Sequence, residues 1–228
     1  MMYDLMLELP VFQGLSYEQL TTIIEKVPFH FKKYKSNDYL IRNGEQCDEI
    51  VFLLSGRVRV LTPSFKDSII IAEDFEAPHT ISFYNLFGRD TTTRSSIYAQ
   101  GAVGVMSLNK ENFLHMISDN KLMLINVLNI LSSHAQKQHM VLDTMGIEEP
   151  ELRLGSFIVA YTSQRAKNVI IDAEPSDWCS MLRLEQKELA EAIQSLIDKG
   201  FVENQEGKLK LTDRYGLRMY LSHNFAQK

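Results

Sequence analysis

The stretch "RLEQKELAEAIQSLIDKGFV", Arg183 to Val202, has residue types and spacing that could do chemistry on a nucleic acid. It reads as a short polar turn, an amphipathic helix, a terminal glycine and the start of a strand, the outline of a helix that enters a DNA groove. Its first turns carry Glu185, Glu188 and Glu191, where a helix approaching phosphate would show arginine and lysine. Other reactive side chains are sparse. Cys47 and Cys179 are the only cysteines, far apart, which excludes an iron–sulfur cluster or zinc knuckle held by this chain alone. His134 and His139 are five apart, off the i, i+4 spacing that lets one helix present both to a metal. No triad, P-loop or paired-carboxylate constellation appears, so the expectation is a protein that is not an enzyme.

The 228 residues suffice for one large or two medium domains with a sizeable core. Hydrophobic residues make up 45% and charged residues 23%, an ordinary globular balance. The formal charge of −5 gives no global attraction to nucleic acid, so any DNA contact must come from a local patch. The start, "MMYDLMLELPVF", lacks the basic flank and long apolar run of a signal peptide, and no stretch reaches the ~20 apolar residues that span a bilayer. With two unpaired cysteines, this reads as a cytoplasmic protein without a membrane partner.

The elements that must position the candidate residues follow from texture. "LELPVFQGLSYEQLTTIIEKV" is helical, with Ser16 as N-cap and Gln19 at the capping-box position. From Phe29 to Leu108 come short β-rich runs split by turn signals at Asn43-Gly44 and Ser55-Gly56, which suggest a small barrel or sandwich. From about Lys110 to Met145 there is neither Gly nor Pro, and the segment reads as one long helix with a break near Ser118. Leu124, Leu128, Leu131, Ala135, Gln138, Leu142 and Met145 fall in the alternating four-three spacing of a two-stranded coiled coil, so a homodimer is expected. Gly146 and Pro150 end that helix. Beyond it, "EEPELRLGSFIVAYTSQ" reads as a helix and "NVIIDAE" as a strand. "SDWCSML" and "EQKELAEAIQSLIDKG" are two helices separated by Arg183-Leu184, and "FVENQEGKLKLTD" is a hairpin turning at Gly207. Helix, tight turn, helix, hairpin is the order of a winged helix-turn-helix.

With this order in place, the sequence resembles the cyclic-AMP receptor/Fnr family of bacterial transcription regulators over essentially its whole length. The resemblance rests on "LELPVFQGLSYEQL", on "YLIRNGEQCDEIVFLLSGRVRV", on the long helix and on the C-terminal order of elements. It implies an α+β protein in three parts: a cyclic-nucleotide-binding-like β jelly-roll barrel over 1–108, a dimerisation helix over 109–146, and a winged helix-turn-helix over 147–228. Double-stranded DNA, a second copy of the chain and RNA polymerase are the partners it implies, with an effector shifting the pose of sensor and reader.

Relatives that bind a cyclic nucleotide carry a Gly-Glu pair about ten residues before an Arg-Ser pair; the latter holds the phosphate and the glutamate accepts from the ribose. Here Arg94-Ser95 match the Arg-Ser pair, while the Gly-Glu position falls on Ser82-Phe83 or Phe83-Tyr84. Neither alignment supplies the carboxylate, so a nucleotide would lose roughly 1–3 kcal/mol at an unpaired hydroxyl. Cyclic AMP is not supported. Two readings stay open: Arg94 and Ser95 hold another anion with Phe83 and Tyr84 lining an apolar pocket, or Arg94 is structural and pairs with Asp90 or a dimer-helix group. The cofactor is unknown; haem would need an axial ligand such as His79.

In the family's recognition helix, arginines reach guanine or clamp phosphate. Here Arg183 replaces the turn glycine, Gln186 stands at the first arginine and Glu191 at the second. If the helix enters a groove, Gln186 can read adenine, Lys187 can reach guanine or phosphate, and Glu185 and Glu191 can accept from cytosine. Phosphate contacts then fall to Arg183, Lys199, Lys208 and Lys210. The expectation is a dimeric DNA-binding regulator with an effector other than cyclic AMP. The alternative is a dimeric ligand- or partner-binding protein whose winged domain has lost DNA recognition.

Overall fold

The computed structural model describes residues 2–226 except 65, 82 and 145, with backbone only at 138–144 and 226. It forms two compact units that are not consecutive in sequence: 1–60 with 75–134, and 61–74 with 135–228.

The first unit opens with α1 (Met2–Glu8), a 3-10 turn at Pro10–Phe12 and α2 (Tyr17–Lys26). Ser16 Oγ accepts from the Gln19 N–H at 3.2 Å, and Gln19 Oε1 accepts from the Ser16 N–H at 2.9 Å, the reciprocal cap expected from the sequence. The strands follow: β1 (His30–Tyr34), β2 (Tyr39–Ile41), β3 (Glu49–Ser55), β4 (Arg57–Ser64), β5 (Ile69–Glu76), β6 (His79–Ile81), β7 (Ser96–Ala99) and β8 (Val103–Asn109). A four-stranded sheet runs β1-β8-β3-β6, and β2 pairs with β7.

Two corrections to the sequence reading arise here. The expected barrel does not close, because the hairpin of β4 and β5 runs out of this unit, and its tip, 61–74, is built into the second. The Asn43-Gly44 and Ser55-Gly56 turns do not make hairpins, since β2 pairs with β7 and β3 with β6 and β8. Gly56, at φ +85°, instead carries the chain from one sheet to the other, pressed so close to the Ala102 carbonyl that a Cβ would collide.

The break expected near Ser118 separates α3 (Lys110–Ser118) from α4 (Lys121–Thr144). Asn109 Oδ1 caps α3 through the Asn112 N–H at 2.8 Å, and Asn120 Oδ1 accepts from Leu122 and Met123 at 3.0 and 3.2 Å to restart the helix. Met123 and Val127 of α4 are buried in a core with Phe12, Phe52 and Phe113.

The second unit continues with α5 (Pro150–Tyr161), β9 (Asn168–Asp172), α6 (Pro175–Leu182), α7 (Gln186–Asp198), β10 (Val202–Gln205), β11 (Lys208–Leu211) and α8 (Arg214–Ala226). Helix α8 was not read from the sequence. It packs on α5 where Gly155 leaves room for Leu217 and Leu221. The sheet runs β10-β11-β9-β5, so a strand from the middle of the chain extends the C-terminal sheet. Phe157, Trp178, Leu182 and Leu196 form the core together with Ile69 and Ile71 of β5.

Candidate nucleic-acid face and effector loop

Helices α6 and α7 meet at Arg183, which sits in the left-handed region at φ 53°, ψ 51°. Its N–H and that of Leu184 both turn back to the Cys179 carbonyl, closing α6. Arg153 of α5 holds this turn from behind: its guanidinium donates to the carbonyls of Leu182 at 2.7 Å, Arg183 at 3.2 Å and Ile147 at 2.6 Å. Arg153 was not singled out in the sequence, because nothing in its local pattern separates it from a solvated helix charge.

Helix α7 buries Leu189, Ala192 and Leu196 and turns Glu185, Gln186, Lys187, Glu188 and Glu191 to solvent. Glu188 Oε2 accepts from the Glu185 N–H at 2.8 Å within a capping box, so Glu185 and Glu188 both serve the helix end itself. Lys187 lies 3.8 Å from Glu191, one turn on. The other candidate lysines are also matched to carboxylates: Lys199 to Glu151 at 2.7 Å, Lys208 to Asp172 at 2.5 Å and Lys210 to Glu203 at 2.7 Å. Ser195 joins the first pair, donating to Glu151 at 2.8 Å. Burial pushes the Glu151 carboxyl up, but the hydrogen bonds from Lys199 and Ser195 overcome it and hold the group below its ordinary value. Burial lowers Lys199 in turn, but its bond to Glu151 and the neighbouring Tyr220 outweigh this and raise it. This face therefore presents Arg183, Gln186 and Lys187 among carboxylates, with its flanking lysines locally neutralised.

In the first unit, Arg94 points outward, 80% exposed, with Asp90 Oδ2 3.4 Å away. Hydrogen bonds from the Thr92 N–H and hydroxyl, with Arg94, hold the Asp90 carboxyl below its usual range. Ser95 is half-buried beside it. Phe83 is 6% exposed and packs edge-on to Phe113, so it fills core rather than lining an open pocket. Tyr84 is 49% exposed and stacks on His134 of α4, ring centroids 3.6 Å apart. The structure thus separates the four candidate effector residues: Phe83 inward, Tyr84 onto the long helix, Arg94 to solvent and Ser95 half-buried beside it. Segment 91–93 is instead laced to the 42–47 turn, where Thr93 donates to Glu45 O at 2.8 Å and Cys47 donates to Thr91 O at 2.8 Å. His79, the residue weighed for haem, stacks on the buried ring of Phe75 at 4.3 Å.

The outer face of α4 carries Leu124, Leu128 and Leu131, all exposed, with Leu128 at 53%. Ala135 continues the stripe. Gln138, Leu142 and Met145, the remaining seam positions, lie outside the residues whose side chains are described.

Residues 31–120 match the family model of the cyclic nucleotide-binding domain. Among solved structures, the Thermus thermophilus catabolite activator protein is similar over 94% of this chain and 99% of its own, at 14% identity and a TM-score of 0.54. The regulator CLP of Xanthomonas campestris, described as responsive to c-di-GMP, is similar over 87% of this chain and 100% of its own, at 10% identity and a TM-score of 0.51. No curated protein sequence matches. The chain thus has the fold of these regulators, and the resemblance carried by its motifs stands. Among the described residues, no helix is long and apolar enough to cross a membrane.

Proposed function

We propose that this protein is a dimeric, sequence-specific DNA-binding transcription regulator of the cyclic-AMP receptor/Fnr type, controlled by a small-molecule effector other than cyclic AMP. The observation that carries the reading is α7 itself. Its apolar face is buried, its polar face with Gln186 and Lys187 is free of covering chain, and a hairpin follows it as a wing would. Presenting such a face to a major groove needs only the packing of α5, α6 and α7. The leucine stripe of α4 supports pairing with a second copy, which would space two reading helices about 34 Å apart on successive grooves. An effector other than cyclic AMP is supported by the aromatic ring of Phe83 at the acceptor position and by the outward pose of Arg94.

A second reading is favoured by the carboxylates beside Lys187, Lys199, Lys208 and Lys210. On this reading the C-terminal helices no longer recognise DNA, and the dimer serves a ligand or protein partner. Selecting bound duplexes from a random DNA pool at low salt separates the two. Enrichment of a palindrome, lost in Gln186→Ala/Lys187→Ala, supports the regulator; absence of enrichment with and without small molecules from cell extract supports the second.

A further inference from the structure

The chain is negative overall, and the lysines of its C-terminal face are each matched to a carboxylate, yet one group of cations is not. Lys32 and Lys33 of β1 and Arg42, just past β2, line a cleft of about 370 Å³ in the first unit. Among the described residues, none of the three is in an ion pair. Successive residues leave a strand on opposite faces, but β1 lies at its sheet's edge with 30–33 exposed, so both lysines reach the cleft. Tyr34 and Tyr39 also line it, and each carries a cation over its ring. Lys32 Nζ is 4.9 Å from the Tyr34 ring centre, and Arg42 Cζ is 4.0 Å from that of Tyr39. A guanidinium stacked on a ring uses its face, so its in-plane N–H donors stay open to an anion.

The cleft's two carboxylates are engaged by main chain. Asp38 Oδ2 accepts from the Lys35 N–H at 2.7 Å, and Glu45 Oε2 accepts from the Arg42 N–H at 3.0 Å. Both turns are themselves pinned to the rest of the unit, the Asn37 N–H donating to Ala99 O at 2.8 Å and the Gly44 N–H to Thr93 O at 2.9 Å. Three cations against two carboxylates leave the lining positive in a negative protein.

We propose that this cleft binds a small molecule carrying two linked phosphates. Its cations come from two elements, which suits adjacent phosphate groups: Arg42 offers a planar fork to one, and Lys32 and Lys33 offer point charges to the other. The volume falls in the range of small-ligand pockets, and the tyrosine rings supply flat wall beside the charges. No lining residue belongs to the Arg94-Ser95 pair or to α7, so the site does not depend on what the C-terminal unit binds.

Calorimetric titration of the full chain with sodium pyrophosphate, free of divalent cations, tests it. The wild type should show saturable binding with a Kd below about 1 mM. Arg42→Gln should weaken it on the order of tenfold, and Lys32→Gln/Lys33→Gln by as much. Lys26→Gln, which removes the same charge at the end of α2, should leave it unchanged. Inorganic phosphate should bind on the order of tenfold more weakly than pyrophosphate. Absence of saturable binding to the wild type overturns the site, as does equal weakening in Lys26→Gln, which would mark a general effect of charge. Binding that survives Arg42→Gln but is lost in Arg94→Gln also overturns it, by placing the anion at the other loop. Equal affinity for phosphate overturns the two-phosphate assignment. The substituted side chains are exposed, so thermal midpoints should match the wild type. If Arg42→Gln does not fold, Arg42→Lys decides the matter: it keeps the charge and loses the fork, and unweakened binding there overturns the role of Arg42.

Discussion

Glu73 and Ser163 are ninety residues apart in sequence, yet the carboxylate of one accepts the backbone N–H of the other at 2.5 Å in a buried setting. Burial pushes the Glu73 carboxyl above its ordinary value, and the Ser163 N–H, Lys137 and Arg214 offset this only in part. Between the ordinary glutamate value and the raised one, the folded protein keeps a proton that the unfolded chain has released. Stability contributed by this group therefore falls as pH climbs through that window and is regained on acidification. Burial lowers both Lys137 and Arg214, and the Glu73 carboxylate beside them counters this in part. Urea midpoints measured for the wild type and Glu73→Gln should diverge with rising pH, the glutamine variant losing less stability. A constant difference across the window would contradict this assignment.

Arg183 adopts left-handed backbone without being glycine, a conformation that costs an L-residue about 1 kcal/mol. Arg183→Gly should stabilise the C-terminal unit by about 1 kcal/mol. The change is readable through the single tryptophan, Trp178, buried in the same core. If Arg183 also contacts phosphate, the same variant should bind DNA more weakly while melting later. Stability and affinity moving in opposite directions would show what the strain at this turn is for.

The pair of Glu151 and Lys199 withholds a cation from the proposed DNA face. Glu151→Gln should release it. The dependence of log K on log salt should then steepen by about 0.9 for each Lys199 that reaches phosphate. Stability should fall in the same variant, because Ser195 and Lys199 lose a charged acceptor; that contribution is present above the ordinary glutamate value and lost as pH drops through the lowered one. An unchanged salt slope would place Lys199 away from the DNA.

Leu128 and Val127 are neighbours on α4 with opposite environments, one 53% exposed and the other buried in the protomer core. Leu128→Glu should leave the helical signal unchanged and convert a dimer to a monomer in sedimentation. Val127→Glu should instead destabilise the protomer by several kcal/mol, since an unpaired carboxylate cannot be buried cheaply. A Leu128→Glu protein that still sediments as a dimer would remove α4 from the interface.

Local patterns made much of the architecture legible. Ser16 and Gln19 announced a capped helix, the Gly- and Pro-free run with its break near Ser118 announced α3 and α4, and Gly207 announced the turn between β10 and β11. Each is a rule of spacing over a few residues, which the chain obeys wherever it lies. The roles of Lys199, Lys208 and Lys210 were not legible in this way, because the carboxylate beside each depends on which elements are neighbours. Lys199 meets Glu151 from 48 residues away.

By itself, then, the sequence determined the order and type of most elements, the buried face of α7, and the acidic character of its exposed face. Only the tertiary structure decided that β5 completes the sheet of β9, that Phe83 is core, and that Arg153 braces the turn before α7. The physical reason is the same in each case. Strand partners and buried charges are chosen by long-range packing, where a backbone edge or a carboxylate takes the most favourable group that the folded chain brings within reach.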